Sequence, residues 1–238
     1  MKKITLGISS CLLGNEVRHD GGHKRNIYVL NTLSEYFNFR PCCPEMAIGL
    51  GTPRPTIRLS RTADELRLVG SSEPDLDVTD EMNYWSEQSI SDMHDLSGYI
   101  LKSNSPTCGM ERVRVYDGNG VPARDGTGLF AAALMKAIPW LPVEEEGRLN
   151  DPMLRENFIE RVFVYFRWQK MINSGITVSQ LMEFHQRHKS ILLAHDEVEY
   201  RKLGPLIASV NKANLEEVAN EYLLRAMTCL KAKASRKR

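Results

Sequence analysis

Three times in the N-terminal half a short, apolar, strand-like run gives way to a cysteine beside a glycine or proline turn. Residues 3–8 lead to Ser9-Ser10-Cys11, residues 37–42 to Cys43-Pro44, and residues 97–103 to Ser105-Pro106-Thr107-Cys108-Gly109. Proline and glycine remove ladder donors and side-chain packing, so each run ends as a strand where its cysteine begins. Helical patterns lie between, over 27–36, from Thr79 as N-cap to about Leu96, and over 129–136, and Trp140–Val143 reads as a fourth strand. Strand and helix in alternation predict an α/β fold with a mostly parallel, Rossmann-like sheet. Parallel strands share one carboxyl edge, so three thiols distant in sequence are expected to meet in one crevice.

Beyond Val143 no strand pattern recurs. Glu144-Glu145-Glu146-Gly147 marks a change of texture, and Asp151 followed by Pro152 is a helix start, an N-cap with proline at the first helical position. Leu154, Phe158, Val162 and Phe166 recur every four residues, and Thr177 with Gln180 forms a capping box. The expected organisation is an α/β domain over 1–146 and an all-α domain over 147–238. Two smaller readings complete it: an antiparallel hairpin from 57–59 and 66–69, and a glycine-rich polar loop over 14–25 suited to ligand recognition.

Composition limits the function classes. Hydrophobic residues make up 42% and charged residues 26%, with a net charge of +1, so neither nucleic acid nor an anionic membrane is expected as partner. The basic end, Lys231 to Arg238, reads as a solvated terminus, and Arg155, Arg161, Arg167 and Lys170 as an ordinary helix face. No apolar run approaches the roughly 18 residues that span a bilayer. The N-terminal apolar stretch is too short for a signal peptide, so the expected location is cytoplasmic. Five cysteines, an odd number, in a reducing compartment argue for thiols kept for metal or chemistry rather than disulfides.

Cys11, Cys43 and Cys108 form a soft donor set for Zn²⁺ or an iron–sulfur cluster. No C-x-x-C pair discriminates between these, and buried structural cysteines are the alternative. Three thiolates on a four-iron cluster leave one iron open to an outside ligand, which favours Lewis-acid chemistry over electron transfer. Glu45, two residues after Cys43, is the candidate proton acceptor for a water, and Ser105 the candidate hydrogen-bond partner of a substrate. Cys42 is set apart by strand alternation, which sends neighbouring side chains to opposite faces, and Cys229 reads as a core thiol. His185, His188 and His195 share one sector of a helix and could form a binding face with Lys189. A metal-free hydrolase with Cys43 as nucleophile and Glu45 as base lacks an orienting histidine in the motif.

Ser9-Ser10-Cys11-Leu12-Leu13-Gly14 with Arg18-His19-Asp20-Gly21, Cys43-Pro44-Glu45 with Gly51-Thr52-Pro53-Arg54, and Ser105-Pro106-Thr107-Cys108-Gly109 resemble the motifs of the 2-thiouracil desulfurases. Two positions depart from the family pattern, Thr107 where serine is usual and His19 where an aromatic is usual. The C-terminal part, with His185 to His195, resembles the helical domain of bacterial YbgA-type proteins. The resemblance implies a [4Fe-4S] cluster on Cys11, Cys43 and Cys108, with Glu45 and Ser105 catalytic. The implied reaction exchanges the sulfur of a thiolated pyrimidine, a small thio-compound, for water oxygen without net redox. The alternative is a non-enzymatic metal or Fe–S redox-sensing module whose helical domain binds a partner. A homo-oligomer is compatible with either.

Overall fold

The computed structural model describes residues 3–62, 65–73 and 75–234. Of the expected basic terminus, residues 235–238 lie outside the described residues. The chain divides into two compact units, one of Met1–Ile138 with Val143–Leu149 and one of Pro139–Pro142 with Asn150–Arg238.

The first unit is α/β. Its elements in order are β1 (Ile4–Ser9), β2 (Phe37–Cys42), β3 (Ile57–Arg61), β4 (Leu66–Gly70), β5 (Tyr99–Leu101), β6 (Val113–Tyr116), β7 (Pro122–Gly126) and β8 (Val143–Glu145). Helices α1 (Ser34–Tyr36), α2 (Pro44–Ala47), α3 (Thr79–Ile90) and α4 (Leu129–Ala137) lie between them. One sheet has the order β2-β1-β5-β8 and is parallel throughout, with Ser9 opposite Cys42, Ile8 opposite Ile100 and Leu101 opposite Glu145. Ile4, Leu6 and Ile8 of β1 and all of β5 are buried, the near-continuous burial of a sheet covered on both faces. Gly7 is required where β1 meets β5, because a Cβ there would stand 2.3 Å from the Tyr99 ring. Phe130 of α4 packs edge-on against Tyr99 at 5.7 Å and against Trp85 of α3 at 5.6 Å, joining both helices to the sheet.

The sheet order places β1 between the strand that follows it and a strand that returns later, so the connections leave β1 in opposite directions. A crevice opens at the carboxyl edge of such a switch point. Cys11, Cys43 and Cys108 all follow strands of this sheet at that edge.

A second sheet, β4-β3-β6-β7, holds the expected hairpin β3–β4 and adds a second hairpin, β6–β7, that the sequence reading lacked. β7 reads Pro-Ala-Arg-Asp-Gly and is exposed over its first four residues, an edge strand with no apolar alternation to mark it. The fourth parallel strand is Val143–Glu145 rather than Trp140–Val143. Trp140 instead belongs to the second unit, where its indole donates to the Tyr165 hydroxyl at 3.1 Å. Helix α3 starts at Thr79, but the cap is supplied by Asp77, whose Oδ1 accepts from the Thr79 amide at 3.0 Å and its hydroxyl at 2.6 Å.

The second unit consists of α5 (Pro152–Asn173), α6 (Val178–His195), α7 (Glu197–Ala208) and α8 (Leu215–Cys229). Asp151 caps α5 through the Met153 and Leu154 amides, and Thr177 with Gln180 closes the capping box of α6. The buried stripe of α5 runs through Phe158, Arg161, Val162, Tyr165 and Trp168, not on to Phe166. Four-residue steps overshoot a 3.6-residue turn by about 40° each, so a strict four-spacing rotates off the core. Trp168 stacks on Tyr222 at 5.8 Å and meets Phe184 edge-on at 5.2 Å, tying α5, α6 and α8 together. No helix among the described residues is long and apolar enough to cross a membrane.

Candidate functional site

Each thiol is delivered by a short irregular segment that the adjoining strand anchors. Cys11 sits in a 3-10 turn, Ser10–Leu13, whose end requires Gly14 at φ 95°, a left-handed conformation that residues with a Cβ disfavour. Its carbonyl accepts from the Gly14 and Lys24 amides. Cys43 is the residue between β2 and α2, still extended at φ −127°, with Pro44 starting the turn that carries Glu45. Cys108 lies in the loop after β5, where Ser105 Oγ accepts from the amides of Thr107 at 3.3 Å and Cys108 at 3.1 Å.

The three thiols, Glu45 and Ser105 line one cavity of about 210 Å³. All five cysteines are free thiols. Burial pushes the Cys11 thiol up to about 11, raises that of Cys43, and raises that of Cys108 further. At neutral pH the free chain therefore presents thiols rather than thiolates, and a bound cation is what would draw the protons off. Such thiols are poor nucleophiles on their own, which weighs against Cys43 as the attacking group of a metal-free hydrolase.

Cys42 departs from expectation. It borders the same cavity, and burial pushes its thiol up to about 11. Both neighbours line the cavity although Cys43 is still extended, so strand alternation alone does not keep Cys42 from its wall.

Glu45 is held on both oxygens. Arg54 Nε donates to Oε2 at 3.2 Å and its Nη2 closes an ion pair on the same atom, while Thr107 Oγ1 donates to Oε1 at 2.8 Å. The Arg54 side chain is 2% exposed and also donates to the carbonyls of Val17 at 3.0 Å and Gly51 at 2.6 Å. Neither Arg54 nor Thr107 was among the site residues expected from the sequence. Both stood within the quoted motifs, but nothing local marks an arginine that will be buried against an acid nine residues away.

Lys102 also lines the cavity. Its ammonium pairs with Glu146 and donates to Ser103 Oγ at 3.0 Å, and Glu146 Oε2 accepts from the Ser103 amide at 2.7 Å. Glu145 Oε1 accepts from the Met110 amide at 2.8 Å. The acidic run at the end of the expected α/β domain thus fastens both ends of the loop carrying Ser105 and Cys108.

The donor set fits an iron–sulfur cluster. Among the described residues no three His, Cys, Asp or Glu side chains close on a point for one metal ion. A cluster asks for less convergence, because each of its irons takes its own thiolate and the ligand sulfurs stand apart around it. Three soft thiols around one cavity meet that need.

The three histidines of α6 do not converge. His185 Nδ1 faces the Tyr222 hydroxyl at 3.2 Å, His188 Nδ1 faces the Phe184 carbonyl at 2.8 Å, and His195 lies between Glu160 and the Ala232 carbonyl. Each is committed to a different neighbour.

Residues 6–146 match the family model described as 2-thiouracil desulfurase, and residues 189–238 match one described as protein of unknown function (DUF1722). Among curated proteins the chain is similar to YbgA of Escherichia coli (strain K12), 34% identical over 83 residues covering 34% of this chain and 49% of YbgA. It is similar to YbbK of Bacillus subtilis (strain 168), 30% identical over 151 residues covering 60% of this chain and 97% of YbbK. The chain thus spans about half the length of the first of these relatives and nearly all of the second. A solved structure titled as the [4Fe-4S]-dependent thiouracil desulfidase TudS is 32% identical, with a TM-score of 0.49, over 63% of this chain and 95% of that one.

Proposed function

The chain belongs to the 2-thiouracil desulfurase family through residues 6–146, and we propose that it removes sulfur from a thiolated pyrimidine, exchanging a C=S for a C=O and releasing sulfide. The observation that carries this reading is one cavity, at the carboxyl edge of a parallel sheet, lined by three soft thiols and an acid. Cys11, Cys43 and Cys108 would hold a [4Fe-4S] cluster, which when bound supplies a Lewis-acid iron for a thiocarbonyl sulfur.

The chain's own groups supply the rest. Water is the oxygen donor: its oxygen bonds to the carbon, the C–S bond breaks with the electron pair leaving on sulfur, and no electrons are gained or lost overall. Glu45 Oε1 is the acceptor for the water proton, held ready by the Arg54 pair. The Ser105 hydroxyl, seated on two backbone amides, lies on the cavity wall as the polar contact that fixes the orientation of the heterocycle. Lys102, pinned by Glu146, is a cation on the cavity wall where sulfide carries negative charge away.

Anaerobic reconstitution with iron and sulfide, followed by assay of sulfide and uracil from 2-thiouracil, tests the proposal. The expected result is a brown protein with about three to four irons per chain that releases the two products in equal amounts. Full iron loading without sulfide release excludes this substrate, and a colourless protein holding one zinc favours the non-enzymatic metal module.

A further inference from the structure

The hydrogen bonds around Glu45 have only one consistent direction. Its Oε2 is taken by Arg54, and its Oε1 receives the hydroxyl of Thr107 at 2.8 Å. Thr107 has a single hydroxyl proton. Once that proton faces the carboxylate, Thr107 Oγ1 offers only lone pairs to Ser105 Oγ, 3.0 Å away, so Ser105 is the donor of that bond. Ser105 Oγ in turn accepts from the Thr107 and Cys108 amides. The order runs from Ser105 through Thr107 to Glu45.

Thr107 is fully buried at 0% exposure. A valine has the same shape and would fill that place without a hydroxyl to desolvate, so the hydroxyl is repaid only through the bonds it makes. The backbone behind it has no slack, because a Cβ at Gly128 would stand 2.5 Å from the Thr107 carbonyl carbon and oxygen. Its branched Cβ limits χ1, which keeps the hydroxyl among Glu45 Oε1, Ser105 Oγ and, at a longer 3.6 Å, Cys108 Sγ.

We propose that Thr107 is a positioning residue, joining Ser105 and Glu45 into one unit by fixing the carboxylate plane and the serine rotamer together. The proposal rests on the desulfuration reading and adds to it the group that aligns the proton acceptor with the serine that borders the substrate. With Oε2 saturated by Arg54, Oε1 is the oxygen left with a spare lone pair, and Thr107 decides where that lone pair points.

The test uses the full chain, reconstituted anaerobically, with 2-thiouracil as probe and T107V, T107S, E45Q and E45Q/T107V as variants. T107V is expected to lower kcat by at least about 10-fold with KM within about twofold, and T107S to stay within about threefold of the parent. Because Thr107 acts through Glu45, T107V added to E45Q should cost less than about a further twofold. Iron per chain is expected to be equal in all variants, and crystals of T107V should show the Glu45 carboxylate or the Ser105 hydroxyl turned from its parent position. Parent-like turnover by T107V, a full additive loss on E45Q, or unmoved Glu45 and Ser105 side chains would each overturn the proposal. The crystallographic comparison needs neither turnover nor a loaded cluster, so it decides the role of Thr107 even if the parent releases no sulfide from 2-thiouracil.

Discussion

Arg54 shows how much a single buried charge can hold. Its guanidinium, 2% exposed, neutralises Glu45, 16% exposed, and ties two loop carbonyls, so its removal strands a carboxylate away from water. Arg54→Met is expected to lower stability by about 3–5 kcal/mol, read as a shift of the denaturation midpoint at neutral pH. Arg54→Lys should recover only part of it, since an ammonium cannot donate to Glu45 Oε2 and two carbonyls in the same fork geometry. The cysteines make a second residue-level prediction. Cys11→Ala, Cys43→Ala and Cys108→Ala should each bind less iron after reconstitution, while Cys42→Ala, outside the three motif thiols, should keep the parent iron content. Iron per chain by colorimetry checks this, and an unchanged iron content in Cys43→Ala would remove that thiol from the ligand set.

At the scale of elements, the crevice depends on how closely β1 and β5 approach. Gly7 lets the Tyr99 ring lie across β1, and that ring also meets Phe130 of α4. Gly7→Ala is expected to displace Tyr99 and to destabilise the chain by about 1–3 kcal/mol, because a packed interior has no room for the extra methyl. Equilibrium unfolding in urea measures it, and a change below about 0.5 kcal/mol would mean that the ring moves aside freely. β1, β2, the β3–β4 hairpin and the start of α5 were readable in the sequence because each carries its own signal, such as apolar runs, a regular alternation, or a cap with proline beside it. β7 was not, since Pro122-Ala123-Arg124-Asp125 has no apolar face and forms a strand only because β6 offers it a ladder. The run Glu144–Glu146 marks a change of texture in the sequence, but no local signal shows that Glu144 and Glu145 lie buried in the last parallel strand. Their burial is satisfied by Arg148 and by the Met110 amide, partners that local pattern does not reveal.

For the molecule as a whole, the helical unit carries a pH dependence of its own. Burial disfavours the charged form of His195, but Glu160 on Nε2 and the Ala232 carbonyl on Nδ1 outweigh it, with Arg161 opposing, and the net shift is upward. A raised value means that the stabilisation is complete below the unfolded-state value and is lost as pH rises through the folded-state value, a window lying above the ordinary 6.5. Urea midpoints of the parent should therefore fall relative to those of His195→Gln as pH rises through that window, and parallel profiles would show that the imidazole is neutral throughout. What the sequence determined by itself was the periodic part: the parallel α/β character of the first unit, the all-α character of the second, and the arrival of three thiols at one sheet edge. Those follow from local propensity and from the right-handed strand–helix–strand connection, which act over a few residues at a time. Which groups orient the acid was decided only in three dimensions. Arg54, Thr107 and Glu146 act on partners nine or more residues away, through hydrogen bonds whose directions depend on burial and on proton counting at the assembled site.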